Sequence, residues 1–203
     1  MKQDTEKNKE EIFTETAIGD GPAKKPAWRE LLDTILYLAG LVFVCWFILT
    51  FITQRTVVSG TSMAPTLDSG QSIFLDKVSY RFHDPERFDI IVFRYQNRRD
   101  RHYIKRIIGL PGETVQIVDS VIYINGQPID DPYRAEPVMI SAGRASQPIT
   151  LGENEYFVMG DNRNGSSDSR MEDVGNITRK MIIGRAFLRV WPLKSFGIIH
   201  HAQ

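Results

Sequence analysis

This sequence of 203 residues contains few cysteine and histidine residues, and its formal net charge is zero. A single cysteine, Cys45, excludes an intramolecular disulfide framework and a multi-cysteine metal cluster. Four histidines leave little material for a histidine-rich metal site. The 25 basic residues balance the 25 acidic ones, which argues against a nucleic-acid-binding domain, because such domains are normally basic. The composition, 42% hydrophobic and 25% charged, is that of an ordinary globular protein.

The apolar residues are concentrated in an uncharged run from Thr34 to Gln54. As a helix this run would extend for about 30 Å, which matches the hydrocarbon thickness of a bilayer. A buried core helix is the alternative, and a cleaved secretory signal is disfavoured because 33 residues precede the run. We therefore predict a cytoplasmic tail over 1–33, a transmembrane anchor over 34–54 and an extracytoplasmic domain over 55–203.

Basic residues flank this apolar run unevenly. Lys24, Lys25 and Arg29 precede the run, whereas Arg55 alone follows it closely. Positive charge near a membrane span tends to stay on the cytoplasmic side. The sequence therefore predicts a single-pass protein of the cell membrane, with its N-terminus in the cytoplasm and its domain on the extracytoplasmic side.

The remainder of the chain has the pattern of a β protein. Short segments rich in β-branched and aromatic residues are separated by Gly, Pro, Asn and Asp. Residues 113–129 alternate and contain a turn at Asp119–Ser120, which predicts a hairpin. Residues 129–149 are less regular and predict an inserted loop or a small subdomain. The predicted fold is mostly β: an N-terminal transmembrane helix, then an antiparallel β-barrel-like catalytic domain with an extended β-hairpin.

A first polar segment, SGTSMAPTL at 59–67, has the features of a constrained turn. Gly60 allows unusual backbone angles and Pro65 stiffens the exit. Such a turn can present both the hydroxyl and the backbone N–H of Ser62, which are a nucleophile and an oxyanion donor for acyl transfer. A plain Ser/Thr-rich turn is the alternative, and this segment taken alone favours it.

A second segment, YIKRIIGLPGE at 103–113, places a lysine in a predicted strand. Side chains alternate along a strand, so Tyr103, Lys105 and Ile107 share one face. If that face is buried, desolvation favours the neutral amine. A pKa near 7 requires that the charged form be destabilised relative to the neutral form by roughly 4 kcal/mol. The alternative is a lysine whose amine reaches water.

A nucleophilic serine needs a base, and the histidines are poor candidates for it. They are His83, His102, His200 and His201. The first lies in a turn-like stretch, the second should face away from Lys105, and the other two lie at the C-terminus. A Ser-His-Asp arrangement is therefore disfavoured, and a neutral Lys105 acting on Ser62 is the more economical dyad.

Together with a third segment, GDNRNGSSDSR at 160–170, these segments resemble the motifs of type I signal peptidases, the serine–lysine leader peptidases of bacteria. The resemblance implies that Ser62 is the nucleophile, with its backbone N–H in the oxyanion hole, and that Lys105 is the general base. It implies that Ser166 hydrogen-bonds and orients the lysine amine. Gly60 falls where some members carry a serine as a second oxyanion donor.

The same resemblance implies supporting and substrate-binding residues. Asp161, Asp168 and Arg170 match a charged group that braces the site. The positions that match the lining of shallow substrate pockets are Val58, Met63, Leu67, Tyr103 and Ile104. The sequence departs from the family pattern at Glu113, where aspartate is common, and at Asn164-Gly165, where another pair is usual.

The resemblance thus implies a membrane-anchored serine endopeptidase that removes N-terminal signal peptides from exported preproteins, with no metal or organic cofactor. Its implied partners are preproteins with small residues at positions −1 and −3 and the lipid bilayer, with the protein translocation machinery as a candidate; no nucleic acid is expected. A self-cleaving serine–lysine repressor would need a DNA-binding module instead of a bilayer span. A non-catalytic membrane-tethered binding module and a specialised paralogue with a narrow substrate set also stay open.

Overall fold

A computed structural model describes residues 26–47, 53–95 and 98–199 of the chain. Most of the predicted tail, residues 48–52 of the predicted anchor and the two C-terminal histidines lie outside these ranges.

Helix α1 (Ala27–Phe47) is a candidate membrane span. It begins seven residues before the predicted anchor, directly after Pro26. Proline is common at the start of a helix, because its missing N–H has no partner there. Its 21 residues include an 18-residue window of mean hydropathy 1.8, and none of its side chains is buried within the structure. A helix with this length and composition suits a lipid environment better than water.

The strands of the described residues all pair in antiparallel fashion. In chain order they are β1 (Thr53–Val57), β2 (Ser72–Asp76), β3 (Ile90–Tyr95), β4 (Arg98–Gly109), β5 (Thr114–Val118), β6 (Val121–Ile124), β7 (Gln127–Pro128), β8 (Ile149–Thr150), β9 (Glu155–Met159), β10 (Ile177–Thr178), β11 (Ile182–Trp191) and β12 (Gly197–Ile198). The larger sheet has the order β1-β2-β11-β3-β4-β9-β10, with β12 paired to β11, and the smaller sheet has the order β7-β6-β5-β8. The prediction of a mostly antiparallel β fold is confirmed.

Strand β3 lies near the middle of the larger sheet and is buried on both faces. Ile90 and Val92 join one apolar cluster, whereas Ile91 and Phe93 join another. This explains why β3 is a continuous apolar run rather than an alternating one. Because β4 pairs with β3 along most of its length, the middle of β4 is also buried.

Strands β5 and β6 form the predicted hairpin, with Val118 opposite Val121. Asp119 and Ser120 have φ angles of 50° and 67°, as a tight two-residue hairpin turn requires. The irregular segment 129–149 covers this smaller sheet and contributes Met139 to its core. Beyond β1, the helical structure in the described part of the chain is limited to 3-10 turns of three or four residues.

Candidate active site

Ser62 lies on the connection between β1 and β2. Two neighbours on this turn, Met63 and Leu67, are almost completely buried in an apolar cluster, and the Leu67 N–H donates to the Met63 carbonyl at 2.8 Å. These two side chains fix the turn to the core, so Ser62 itself is left partly exposed. Both side chains are buried and are not among the residues that line the cleft described below, so their assignment to the substrate pockets stays a prediction.

Lys105 lies on β4 with only 4% of its surface exposed. Its Nζ donates to Ser62 Oγ at 2.7 Å and to the Ile104 carbonyl at 3.0 Å. The same nitrogen lies 5.4 Å from the centre of the Tyr103 ring. The amine therefore contacts a hydroxyl, a neutral carbonyl and an aromatic ring, and within the described part of the chain it has no carboxylate among its hydrogen-bond partners.

Burial lowers the pKa of Lys105 from 10.5 to about 8, because desolvation penalises the charged amine. The nearby carboxylates of Asp168 and Asp161 act in the opposite direction and raise this pKa. The Arg170 guanidinium lowers it again. Desolvation is the largest of these effects, so a substantial fraction of the amine is neutral at mildly alkaline pH.

Asp161 is paired with Arg106, the residue that follows the lysine on β4. Arg106 Nε and Nη2 donate to the two carboxylate oxygens at 2.8 and 2.7 Å, and both side chains are fully buried. The guanidinium also donates to the Phe88 carbonyl and lies 3.5 Å from the centre of the Tyr133 ring. Sequence reasoning selected Asp161 but missed Arg106. The sequence offered one indication of a buried Arg106, namely that this arginine lies within a largely apolar predicted strand.

Asp168 is paired with Arg170 in a similar way. Arg170 Nε and Nη2 donate to the carboxylate at 2.8 and 2.9 Å, and the Gly160 N–H donates to Asp168 Oδ2 at 3.1 Å. Arg170 also donates to the Ser141 carbonyl at 3.1 Å. The three charged residues selected from the sequence thus form structural ion pairs, and none of them is hydrogen-bonded to the lysine amine.

Ser166 lies on the loop after β9, close to the nucleophile turn. Its Oγ is buried and has no hydrogen-bond partner. The predicted hydrogen bond to Lys105 is therefore not formed in this structure, where the amine donates to Ser62 and Ile104 instead. A Cβ at Gly160 would collide with both the Ser62 carbonyl and the Ser166 hydroxyl, so this glycine allows the two segments to approach.

An open cleft of about 700 Å³ borders the serine–lysine pair. Its lining consists of Thr56, Val57, Val58, Ser59, Gly60, Thr61, Ser62, Val92, His102, Tyr103, Ile104, Lys105, Gly165 and Ser167. Three of the predicted pocket residues are therefore present: Val58, Tyr103 and Ile104. Gly60 has a φ of +90°, a value that favours glycine, and its position has open space where a side chain would extend.

Glu113 lies away from the cleft, on the turn after β4. It accepts hydrogen bonds from the Leu110 N–H at 2.7 Å and from Arg87 at 2.5 Å. This departure from the family pattern therefore concerns the support of a turn. Across residues 26–47, 53–95 and 98–199, no three His, Cys, Asp or Glu side chains are grouped so that they could hold a metal ion.

A hydroxyl in contact with a buried amine, at the edge of an open cleft, is the arrangement of a serine hydrolase that uses lysine as its base. Comparison with known families agrees with this class. The family described as signal peptidase, peptidase S26, matches residues 28–191. The chain belongs to this family, and the resemblance stated from the sequence is confirmed.

Two relatives with named functions support the same assignment. The chain is 35% identical over 196 residues to a probable signal peptidase I-2 of Synechocystis sp., which covers 94% of this chain and 85% of that protein. It is 38% identical over 175 residues to signal peptidase I S of Bacillus subtilis, and the match covers 81% of this chain and 91% of that protein. A crystal structure of a signal peptidase I from Enterococcus faecalis V583 matches with 34% identity and a TM-score of 0.43, over 51% of this chain and 97% of that chain.

Proposed function

We propose that this protein is a membrane-anchored serine endopeptidase that removes N-terminal signal peptides from exported preproteins. The observation that carries the proposal is the 2.7 Å contact between Lys105 Nζ and Ser62 Oγ at the edge of the cleft. Membership of the signal peptidase family supports the class of substrate.

In the proposed reaction, Ser62 Oγ attacks the scissile carbonyl carbon while the neutral Lys105 amine takes the hydroxyl proton. The backbone N–H of Ser62 stabilises the negative charge on the carbonyl oxygen. The C–N bond then breaks, and the lysine ammonium returns the proton to the leaving amine. Water attacks the resulting ester with Lys105 again as base, which releases the new carboxylate and restores Ser62.

The substrate in this proposal lies extended in the cleft, between residues 56–60 on one side and 102–105 on the other. Two aliphatic side chains of the cleft lining lie close in sequence to the reacting pair: Ile104 directly precedes Lys105, and Val58 lies four residues before Ser62. We propose that they bound shallow pockets for the side chains at positions −1 and −3, which would select small residues. Ser166, Asp161, Asp168 and Arg170 are assigned as residues that support the pair.

We further propose that residues 1–33 form a cytoplasmic tail, that the anchor lies within residues 34–52 and that the extracytoplasmic peptidase domain begins with β1 at Thr53. The end of the anchor predicted at residue 54 is two residues too late, because Thr53 and Gln54 pair with β2. Helix α1 supports the anchor by its length and hydropathy, and the excess of basic residues before it supports a cytoplasmic N-terminus. An anchor confines enzyme and preprotein to one membrane surface and so raises their effective concentration. The lipid bilayer is thus a partner, and the protein translocation machinery is a candidate one.

The test is cleavage of a preprotein with Ala at −1 and −3 by Ser62→Ala and Lys105→Ala in the full-length protein. Each variant should lose cleavage while keeping the thermal melting temperature within a few degrees, because each removes one reacting group. Lys194→Ala and Ser195→Ala, which lie outside the cleft, are matched controls and should remain active. Substantial turnover by either dyad variant would refute the proposed chemistry.

A further inference from the structure

Asn162 connects the two segments on which the site depends. Its backbone N–H donates to the Ser62 carbonyl at 3.1 Å, and its side-chain Nδ2 donates to the Thr61 carbonyl at 3.2 Å. Its Oδ1 accepts the Gly165 N–H at 2.9 Å. One residue therefore holds the nucleophile turn against the loop that carries Ser166.

The position of this amide explains the glycine at Gly165. A Cβ at Gly165 would lie 2.7 Å from Asn162 Nδ2 and 2.9 Å from its Oδ1, which is closer than real Cβ contacts. Gly165 has no positive φ, so the requirement for glycine is steric rather than conformational. Because the amide is held by a hydrogen bond at each end, it cannot move away without losing its bond to the Thr61 carbonyl or to the Gly165 N–H.

Asn164 provides an internal contrast on the same loop. It also makes two side-chain hydrogen bonds, accepting from the Ile140 N–H at 2.8 Å and donating to the Val138 carbonyl at 3.0 Å. Both partners belong to the segment that covers the smaller sheet, whereas the partners of Asn162 include the nucleophile turn. The two asparagines are thus alike in chemistry but differ in the segment that they hold, and Asn162 is half-buried whereas Asn164 is exposed.

We propose that Asn162 is a positioning residue for the serine–lysine pair, and that Gly165 is a glycine because the amide of Asn162 occupies the space of a side chain. The inference rests on the proposed function. Thr61 directly precedes Ser62, and without the amide its carbonyl keeps only the Ala64 N–H at 3.1 Å, a contact within the turn itself. Loss of this tie to the neighbouring loop allows the Ser62 hydroxyl to shift relative to Lys105. A displacement of about 1 Å at a reacting atom can lower the rate by about 100-fold.

The test measures kcat and KM for preprotein cleavage by Asn162→Ala, by Gly165→Ala and by the double variant. Each single variant should lower kcat roughly 10- to 100-fold. Asn162→Ala should leave KM within about twofold, since Asn162 is not among the residues that line the cleft. The double variant should be no slower than Asn162→Ala, because the collision disappears with the amide. The pH midpoint of kcat/KM should not move, since Asn162 is neutral and does not contact the lysine amine.

Asn164→Ala is the matched control and should retain the parent kcat. A fall in kcat that follows only the loss of folded protein, measured by thermal melting, would assign Asn162 a structural role and overturn the inference. Multiplicative effects in the double variant would overturn the steric explanation of Gly165. If Asn162→Ala does not fold, Gly165→Ala tests the same contact by displacing the amide.

Ser62→Ala in the same assay separates this inference from the proposed function. Residual cleavage by Ser62→Ala would refute the proposed function. An inactive Ser62→Ala together with a fully active Asn162→Ala would refute the positioning role alone.

Discussion

Lys105 and Arg106 are consecutive residues of β4, and both are buried, yet their surroundings differ in kind. The Arg106 guanidinium meets the Asp161 carboxylate through two hydrogen bonds, whereas the Lys105 amine meets a hydroxyl and a backbone carbonyl. On one side of the strand, the buried Arg106 charge is thus compensated by Asp161. On the other side, the Lys105 amine is hydrogen-bonded to neutral groups. The difference shows that similar burial has different consequences: a carboxylate compensates the Arg106 charge, whereas desolvation of Lys105, whose amine is not hydrogen-bonded to Asp161 or Asp168, lowers its pKa.

The chemistry of the two side chains makes this division possible. A guanidinium is never deprotonated in proteins, so a buried arginine has to be paired. An ammonium can lose its proton, and a pKa lowered from 10.5 to about 8 corresponds to ~3 kcal/mol between the two protonation states of Lys105. The strand therefore separates a structural cation from a base by residue type and by partner.

Exchange of the two residue types should give the largest effect on activity and tests whether Lys105 and Arg106 have different roles. Lys105→Arg keeps a cation beside Ser62 but removes the group that can accept a proton, so kcat should fall by about 10²- to 10⁴-fold. Arg106→Lys keeps a positive charge beside Asp161, so the rate at optimal pH should fall by less than about 10-fold. Preprotein cleavage measured across pH checks both variants. An active Lys105→Arg enzyme would contradict the assignment of Lys105 as base.

Removal of the counter-ion on the structural side should mainly affect stability. Asp161→Asn leaves the buried Arg106 charge uncompensated, which should cost about 3–5 kcal/mol and lower the melting temperature by roughly 10 °C. It also removes a carboxylate that raises the pKa of Lys105, so the pH midpoint of activity should move downward.

The double variant Arg106→Met/Asp161→Leu is the matched control for this loss. An apolar pair removes both buried charges together and should recover much of the stability. A double variant as unstable as Asp161→Asn would mean that packing, and not the unpaired charge, dominates.

The sequence was sufficient to predict the elements whose signal is local. The alternation of residues 113–129 and the turn at Asp119–Ser120 predicted the β5–β6 hairpin, because strand period and turn chemistry are read from neighbouring residues. The order of the three polar segments predicted the family, and the structure brings Ser62 and Lys105 within hydrogen-bond distance.

What the sequence could not supply depends on tertiary contacts. The Arg106–Asp161 pair joins residues 55 positions apart, so no local pattern reveals that the arginine is buried and paired. Met63 and Leu67 are predicted to line substrate pockets, and their burial in an apolar cluster depends on how the turn packs against the sheet, which no local pattern reveals. Ser166 was predicted to orient the amine, and the loop holds its hydroxyl without a hydrogen bond in this structure.

The smallest expected effect is the pH dependence of the unaltered enzyme, which tests the base side of β4 directly. The pKa of Lys105 is lowered to about 8, so below pH 8 the amine is mostly protonated and cannot take the Ser62 proton. Between pH 7 and pH 9 the neutral fraction, and with it kcat/KM, should rise about 10-fold and then level off. His102→Ala, which alters the histidine in the cleft lining, should keep this profile. A midpoint of about 6.5, the ordinary value for imidazole, that disappears in His102→Ala would transfer the role of base to the histidine.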